Sequence, residues 1–388
     1  MTDDEPLFTV NTSHLNTGLR GIPVGTCRTS FVTPMEGVHY CGYPVAELAH
    51  HSPEDIAYLL FNKELPTVEQ SLAFRQDLAR RAAVPDSLAA VFHTLPKDGH
   101  PMDWLSVGIH TLGMLETTGD WKEDALNLIA RMPRLMGLLF RIRDGRGENI
   151  PADELNGSMV SRFVKTIDVE GADEELMEKI LACYLVLHMD HGGGNLSTFT
   201  GKAIASGHAT VYSSIAGAMN ALSGPLHGRA NQSCLEFVLR IGTSDPVEVE
   251  AFVRAELAAK RPVFGFGHAV LRAEDPRAAV QFEIGEEICP DDENFKIIRT
   301  LREVAPRVLS ENDKISNPYA NVDIASGALL HYVGFKDPTY YTTFFGWARV
   351  AGIGAQILDE RTVMREGKGI PIYRPKYLAE QQSLRHVE

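Results

Sequence analysis

The 388-residue chain has only five cysteines, and none forms a CxxC pair. Cys27, Cys41, Cys183, Cys234 and Cys289 are odd in number and widely spaced, which argues against a disulfide framework and a zinc module. They read as small apolar residues in a reducing compartment. Long hydrophobic runs are missing too. The most apolar stretches, such as LIARMPRLMGLLFRIRD, are cut by charges and fall short of the about 18 residues of a membrane span. Basic charge is also scarce: 37 Lys and Arg stand against 51 Asp and Glu, a net charge of -14. Such a chain repels nucleic acid and anionic membranes, so an anionic ligand must be drawn by local Arg and His. The opening MTDDEPLF has neither the apolar core of a signal peptide nor the Arg-rich character of a transit peptide. The expected compartment is the cytoplasm. No GxGxxG follows a strand pattern, and no P-loop is present.

What is present is a chain of 44% apolar and 23% charged residues, enough for a sizeable core and long enough for two domains. Helix signals dominate. Ser52 precedes PEDIAYLLF, with Pro53 first and two acids favouring the positive helix end. Thr67 and Gln70 have capping-box spacing. Residues 120–143 read as one helix, bent at Pro133. From Asp173, Leu176, Ile180, Tyr184 and Leu187 keep helical spacing into His188. PVEVEAFVRAELAAK holds a helical period. Residues 197–222, rich in Ala, Gly and Ser, read as one long close-packing helix, and YYTTFFGWARVAGIGAQIL as another. Strand patterns are short, around HYCGYPV. The predicted fold is all-α.

Polar residues collect at four glycine-interrupted places. These are HMDHGGGN (His188, Asp190, His191, Asn195), GPLHGRANQ (His227), FGFGHAVLRAEDPR (His268, Arg272, Arg277) and NPYANVDIASG (Asp323). Arg349 and Arg374 follow. Each has a plain reading. His188 and His191 could cap helix carbonyls; as metal ligands they lack a nearby Cys or second carboxylate. Asp323 could be the N-cap of the next helix, and Arg277 a surface arginine. His227 and His268 sit in Gly-bounded turns, where ring and backbone both face a ligand. Taken together, arginine forks suit a di- or tricarboxylate. Two imidazoles and a carboxylate suit proton removal beside a carbonyl, with a donor for the enolate oxygen, and no metal is needed.

On HMDHGGGNLST, GPLHGRANQ, GFGHAVLRAEDPR, NVDIASGALL, FFGWARVAGIGAQ and IPIYRPK, the chain resembles citrate synthase over about residues 20–378. It is more similar to the type found in mitochondria and some bacteria than to the NADH-regulated bacterial hexamers. The resemblance implies a large helical domain of residues 1–222 and 328–388, with a smaller domain of 223–327 inserted. It implies that Asp323 takes a methyl proton from acetyl-CoA, His227 stabilises the enol as a neutral donor, and His268 donates to the oxaloacetate carbonyl. His191, Arg277, Arg349 and Arg374 would hold oxaloacetate, with Arg374 crossing a homodimer interface. Arg272 and Lys314 would meet CoA phosphates, and Phe264, Gly265 and Gly267 lie in the loop expected against the adenine. No cofactor is implied, since the CoA thioester is a substrate. Two positions depart from the family: Cys41 stands where Arg is usual, and Gly192 where Glu is frequent. Propionyl-CoA as the acyl donor, giving 2-methylcitrate, is the alternative within the class. A catalytically weak metabolite-binding paralogue is the alternative outside it.

Overall fold

The computed structural model describes residues 7–149 and 157–378. Near the start, β1 (Ser30–Thr33), β2 (Gly37–Tyr40) and β3 (Tyr43–Pro44) form a small antiparallel sheet in that order, with Ser30 opposite Tyr40 and Tyr40 opposite Tyr43. Among the described residues, helices make up the rest of the regular structure. The first half carries α1 (Val45–Leu48), α2 (Pro53–Asn62), α3 (Val68–Arg81), α4 (Asp86–Thr94), α5 (Pro101–Glu116), α6 (Trp121–Arg143), α7 (Met159–Ile167), α8 (Glu174–His188), α9 (Leu196–Ser206) and α10 (Val211–Leu222). Then come α11 (Ala230–Ile241), α12 (Pro246–Ala258), α13 (Pro276–Ile288), α14 (Glu293–Leu309), α15 (Asp323–Tyr332) and α16 (Tyr341–Leu358). A π-helical turn, Asp359–Val363, ends α16. The all-α expectation holds.

Local chemistry sets the helix starts. Ser52 accepts the Asp55 amide, and Thr67 and Gln70 exchange both capping-box bonds. Asp120 and Asp173 cap α6 and α8 in the same way. Pro133 lies inside α6, which continues through it to Arg143. The stretch 197–222 is not one helix. It breaks at Gly207 and His208, whose φ is +61°, and Thr210 caps a second helix by accepting the Ser213 amide. The two halves pack on each other so closely that a Cβ on Gly217 would stand 2.2 Å from Ile204 Cδ1.

The hub is α16, buried along almost its whole length and packed on α2, α5, α6, α8, α9 and α10. Its approach to the end of α8 needs Gly352, where a Cβ would fall 2.3 Å from the Met189 carbonyl oxygen and 2.8 Å from Asp190 Cβ. Helices α11 to α15 pack among themselves: α12 on α14, and α15 on α11, α13 and α14. They meet the rest through α15 on α8, α13 on α1 and β2, and α11 on α16 and the Pro338–Tyr340 turn. Those seams bring the four glycine-interrupted stretches together.

Candidate active site

The turn after α8 is built around Asp190, which is fully buried. Its Oδ2 accepts the hydroxyls of Thr29 (2.5 Å) and Ser30 (2.8 Å), and its Oδ1 accepts Gln356 Nε2 (2.8 Å) and the His191 amide (2.9 Å). Four donors satisfy this carboxylate, as a buried charge requires. It therefore clamps the start of β1, the turn and α16 in one place, and sets where His191 stands.

His191 faces His268, with ring centroids 5.4 Å apart. His268 sits in a loop that pairs with residues 319–321. The Gly267 amide donates to Tyr319, the Asn321 amide to Gly265, and Asn321 Nδ2 to Gly267. Gly265 is required there. Its φ is +83°, and a Cβ would lie 2.7 Å from Ile324 Cδ1 and 3.0 Å from Cys234 Sγ. The pairing ties the loop of His268 to the start of α15, hence to Asp323. Asn317 adds to the tie by donating to the Leu271 carbonyl at 2.8 Å.

The hydrogen bonds assign the protons on two rings. His268 Nδ1 accepts the amides of Val270 (3.1 Å) and Leu271 (3.0 Å), so a neutral ring carries its proton on Nε2. His227 Nε2 accepts the Ser197 amide at 3.1 Å, with the Ser197 hydroxyl 2.9 Å from the same nitrogen. A neutral His227 therefore carries its proton on Nδ1. The imidazolium is disfavoured in both. Burial, then the Arg349 charge, pushes His227 down to about 4. Burial, then Arg277, lowers His268. His191 is held well below its ordinary value by burial and by Arg277 and Arg349. Each of the two rings thus offers one N–H while remaining neutral.

Asp323 is the first residue of α15 and not its N-cap. The cap position is Val322, and Asn321 Oδ1 accepts the Asp323 amide at 3.0 Å. No hydrogen bond reaches the Asp323 carboxylate among the described residues. Burial raises it to about 6, against the opposing pull of Arg277. A carboxylate poised near neutrality is suited to general-base work.

Arg277 and Arg349 are not surface residues; they are 3% and 2% exposed. Arg277 Nη2 meets Asp275 Oδ2 at 2.7 Å, its Nε meets Oδ1 at 3.0 Å, and its Nη1 reaches the Leu187 carbonyl at 3.4 Å. Arg349 lies over the Phe345 ring and donates through Nε to the His188 carbonyl at 3.0 Å. It has no carboxylate within 4 Å among the described residues, and its two Nη atoms make no hydrogen bond there. Burial lowers its affinity for the proton, yet a guanidinium stays charged. A buried cation without a counter-ion is costly and is relieved by an anionic ligand. His188 is a helix-end cap: its Nδ1 donates to the Tyr184 carbonyl at 2.8 Å.

Two neutral N–H donors, a lifted carboxylate and a buried guanidinium without a carboxylate partner thus lie within reach of one another's charge: Arg349 acts on His227 and His191, and Arg277 on His268, His191, Asp323 and Arg349. The family model described as "Citrate synthase, C-terminal domain" matches residues 18–376. The chain belongs to the citrate synthase family. It is 34% identical to the mitochondrial citrate synthase of Saccharomyces cerevisiae over 92% of this chain and 79% of that protein. It is equally 34% identical to the mitochondrial 2-methylcitrate synthase of Yarrowia lipolytica, over 92% of this chain and 82% of that protein. The crystal structure of citrate synthase from Thermotoga maritima superposes with a TM-score of 0.82 at 28% identity, covering 96% of this chain and 98% of that one.

Not every residue expected in a citrate synthase site lies among these groups. Arg272 and Lys314 are exposed. Arg272 Nη1 is turned back on its own loop, to the Val270 (3.0 Å) and Leu271 (2.7 Å) carbonyls. Phe264 packs edge-on to Phe237 with centroids 6.1 Å apart. Arg374 is exposed on the tail, with no hydrogen bond to His227, His268 or Asp323. At the two departures, Cys41 fills a left-handed turn (φ +49°) with its thiol near the Thr29 and Leu59 carbonyls, while a Cβ on Gly192 would meet nothing within 4 Å. Sequence reasoning did not single out Ser197 or Asp275. Asp275 stands in DPR, a local N-cap signal, and does accept the Arg277 amide at 3.0 Å. Among the described residues, no group of three His, Cys, Asp or Glu side chains could hold a metal ion, and no helix is long and apolar enough to cross a membrane.

Proposed function

We propose that the chain condenses acetyl-CoA with oxaloacetate to citrate and CoA. The observation that supports this reading best is the pairing of a lifted Asp323 with two neutral imidazoles of opposite tautomer. Asp323 removes a proton from the acetyl methyl group. His227 donates through Nδ1 to the thioester oxygen as the enol forms. The enol carbon then attacks the oxaloacetate carbonyl, whose oxygen takes a hydrogen bond from His268 Nε2. Arg349, Arg277 and His191 hold the oxaloacetate carboxylates, and Arg374 completes the clamp from the partner subunit of a homodimer. Hydrolysis of citryl-CoA in the same cleft releases citrate and CoA. Arg272, Lys314 and the loop of Phe264, Gly265 and Gly267 receive CoA as the inserted domain closes and excludes water.

The Yarrowia relative favours a second reading in which the acyl group is propionyl. One methylene is worth only about 1–3 kcal/mol of discrimination. Oxaloacetate-dependent thiol release is compared for acetyl-CoA and propionyl-CoA. A higher kcat/KM for acetyl-CoA is expected; a preference for propionyl-CoA replaces the first reading with the second, and release from neither rejects both.

A further inference from the structure

A buried ion pair lies outside the cluster of histidines and arginines. Lys202 of α9 and Glu360 of the π turn meet at 2.9 Å, with side chains 5% and 3% exposed. Burying both charges costs more than a packed apolar pair would, so their value lies in what they hold. On one side, Lys202 Nζ is 3.4 Å from Gln356 Oε1, and Gln356 Nε2 donates to Asp190, the carboxylate that sets His191. On the other, Glu360 Oε1 accepts the Tyr373 hydroxyl at 3.0 Å, and the Glu360 carbonyl accepts the Ile370 amide at 2.9 Å. Tyr373 is fixed twice more. Its amide donates to Ser206 Oγ at 3.0 Å, and its ring packs edge-on to Phe199. The next residue, Arg374, is exposed, as are residues 375–378. The tail is therefore held up to Tyr373 and released at the arginine.

We infer that Lys202, Glu360 and Tyr373 are positioning residues that hold the tail so that Arg374 is presented at a fixed point to the oxaloacetate carboxylate. This rests on the reading that Arg374 acts in a neighbouring site. A tethered guanidinium loses less entropy on binding than one on a free tail. The network therefore acts on oxaloacetate affinity and leaves the proton-moving groups alone.

The test uses the full chain with Tyr373→Phe, Glu360→Gln, Arg374→Ala and the Tyr373→Phe/Arg374→Ala double variant. Tyr373→Phe removes one hydroxyl and keeps the ring packing, so it decides the matter even where Glu360→Gln folds poorly. Its oxaloacetate KM should rise roughly threefold to tenfold, the span of one net hydrogen bond, with kcat little changed. The double variant should have no higher a KM than Arg374→Ala alone, because Tyr373 acts only through the arginine. Trypsin should cut after Lys368 faster in Tyr373→Phe than in the parent, while cleavage after Lys376, in the released part, should be unchanged. Multiplying KM effects in the double variant, or parental KM and parental cleavage in Tyr373→Phe, would overturn the inference. If the parent shows no oxaloacetate-dependent turnover, the functional reading fails by itself, and cleavage alone then decides whether the hydroxyl anchors the tail.

Discussion

In the proposed reaction, Asp323 is the single side chain on which the chemistry turns. Its acid is lifted to about 6 by burial. The kcat/KM for acetyl-CoA should therefore fall about tenfold per pH unit below about 6, as the base takes up its proton in the free protein. His227, neutral above about 4, adds no limb between those values. Asp323→Asn should lose roughly 10²–10⁴-fold in kcat while binding oxaloacetate almost unchanged, since the base acts on the other substrate. Loss of oxaloacetate affinity in a folded variant would make Asp323 a binding residue. The same shift has a stability consequence. The folded state binds this proton more tightly than the unfolded chain, so ionising Asp323 weakens the fold as pH rises from about 4 through about 6. Asp323→Asn should thus be more stable than the parent at pH 8, by up to about 3 kcal/mol, with the gain gone below about pH 4. Urea unfolding at the two pH values measures it.

At the scale of elements, helix starts were legible because their causes lie within four residues. Thr67 and Gln70, Asp120 and Asp173 cap the helices their spacing predicts. The break between α9 and α10 was hidden by a small-residue run that reads as continuous. Its cause, a left-handed His208, is not announced by residue type, although Thr210 and Ser213 mark the restart. Candidate site residues were legible where glycine interrupts a helix pattern beside His or Asp. What holds them was not. Asp190 meets Thr29 and Gln356 across 161 and 166 residues, and no local period encodes such partners. Gly352 likewise looks like any small residue of a buried helix, yet a Cβ there would collide with the backbone of the turn that carries Asp190 and His191. Backbone cannot step aside by changing rotamer. Gly352→Ala should cost about 1–3 kcal/mol in unfolding and raise the oxaloacetate KM. Parental stability with parental KM would show that α16 and the turn adjust freely.

For the whole molecule, the exposed Arg374 matters most. It follows a tail docked on α9 through Ser206 and Phe199, and among the described residues no hydrogen bond ties it to His227, His268 or Asp323. If it completes the partner's site, co-expressing Asp323→Gly with Arg374→Ala chains should restore activity. Random pairing makes half the dimers mixed, and each mixed dimer has one intact site, so recovery should approach about a quarter of the parent. No recovery in verified mixed dimers would place the arginine in its own chain's site or in none.

The most direct test of the central claim follows the methyl hydrogens. Acetyl-CoA carrying three methyl deuterons is incubated with oxaloacetate, and the product is weighed by mass spectrometry. Removal of one deuteron by Asp323, attack of the enol on the carbonyl and hydrolysis of the thioester predict citrate bearing two deuterons, with one free CoA for each citrate. Labelled acetate with CoA and no citrate would show a thioesterase that never forms the carbon–carbon bond, and would contradict the account.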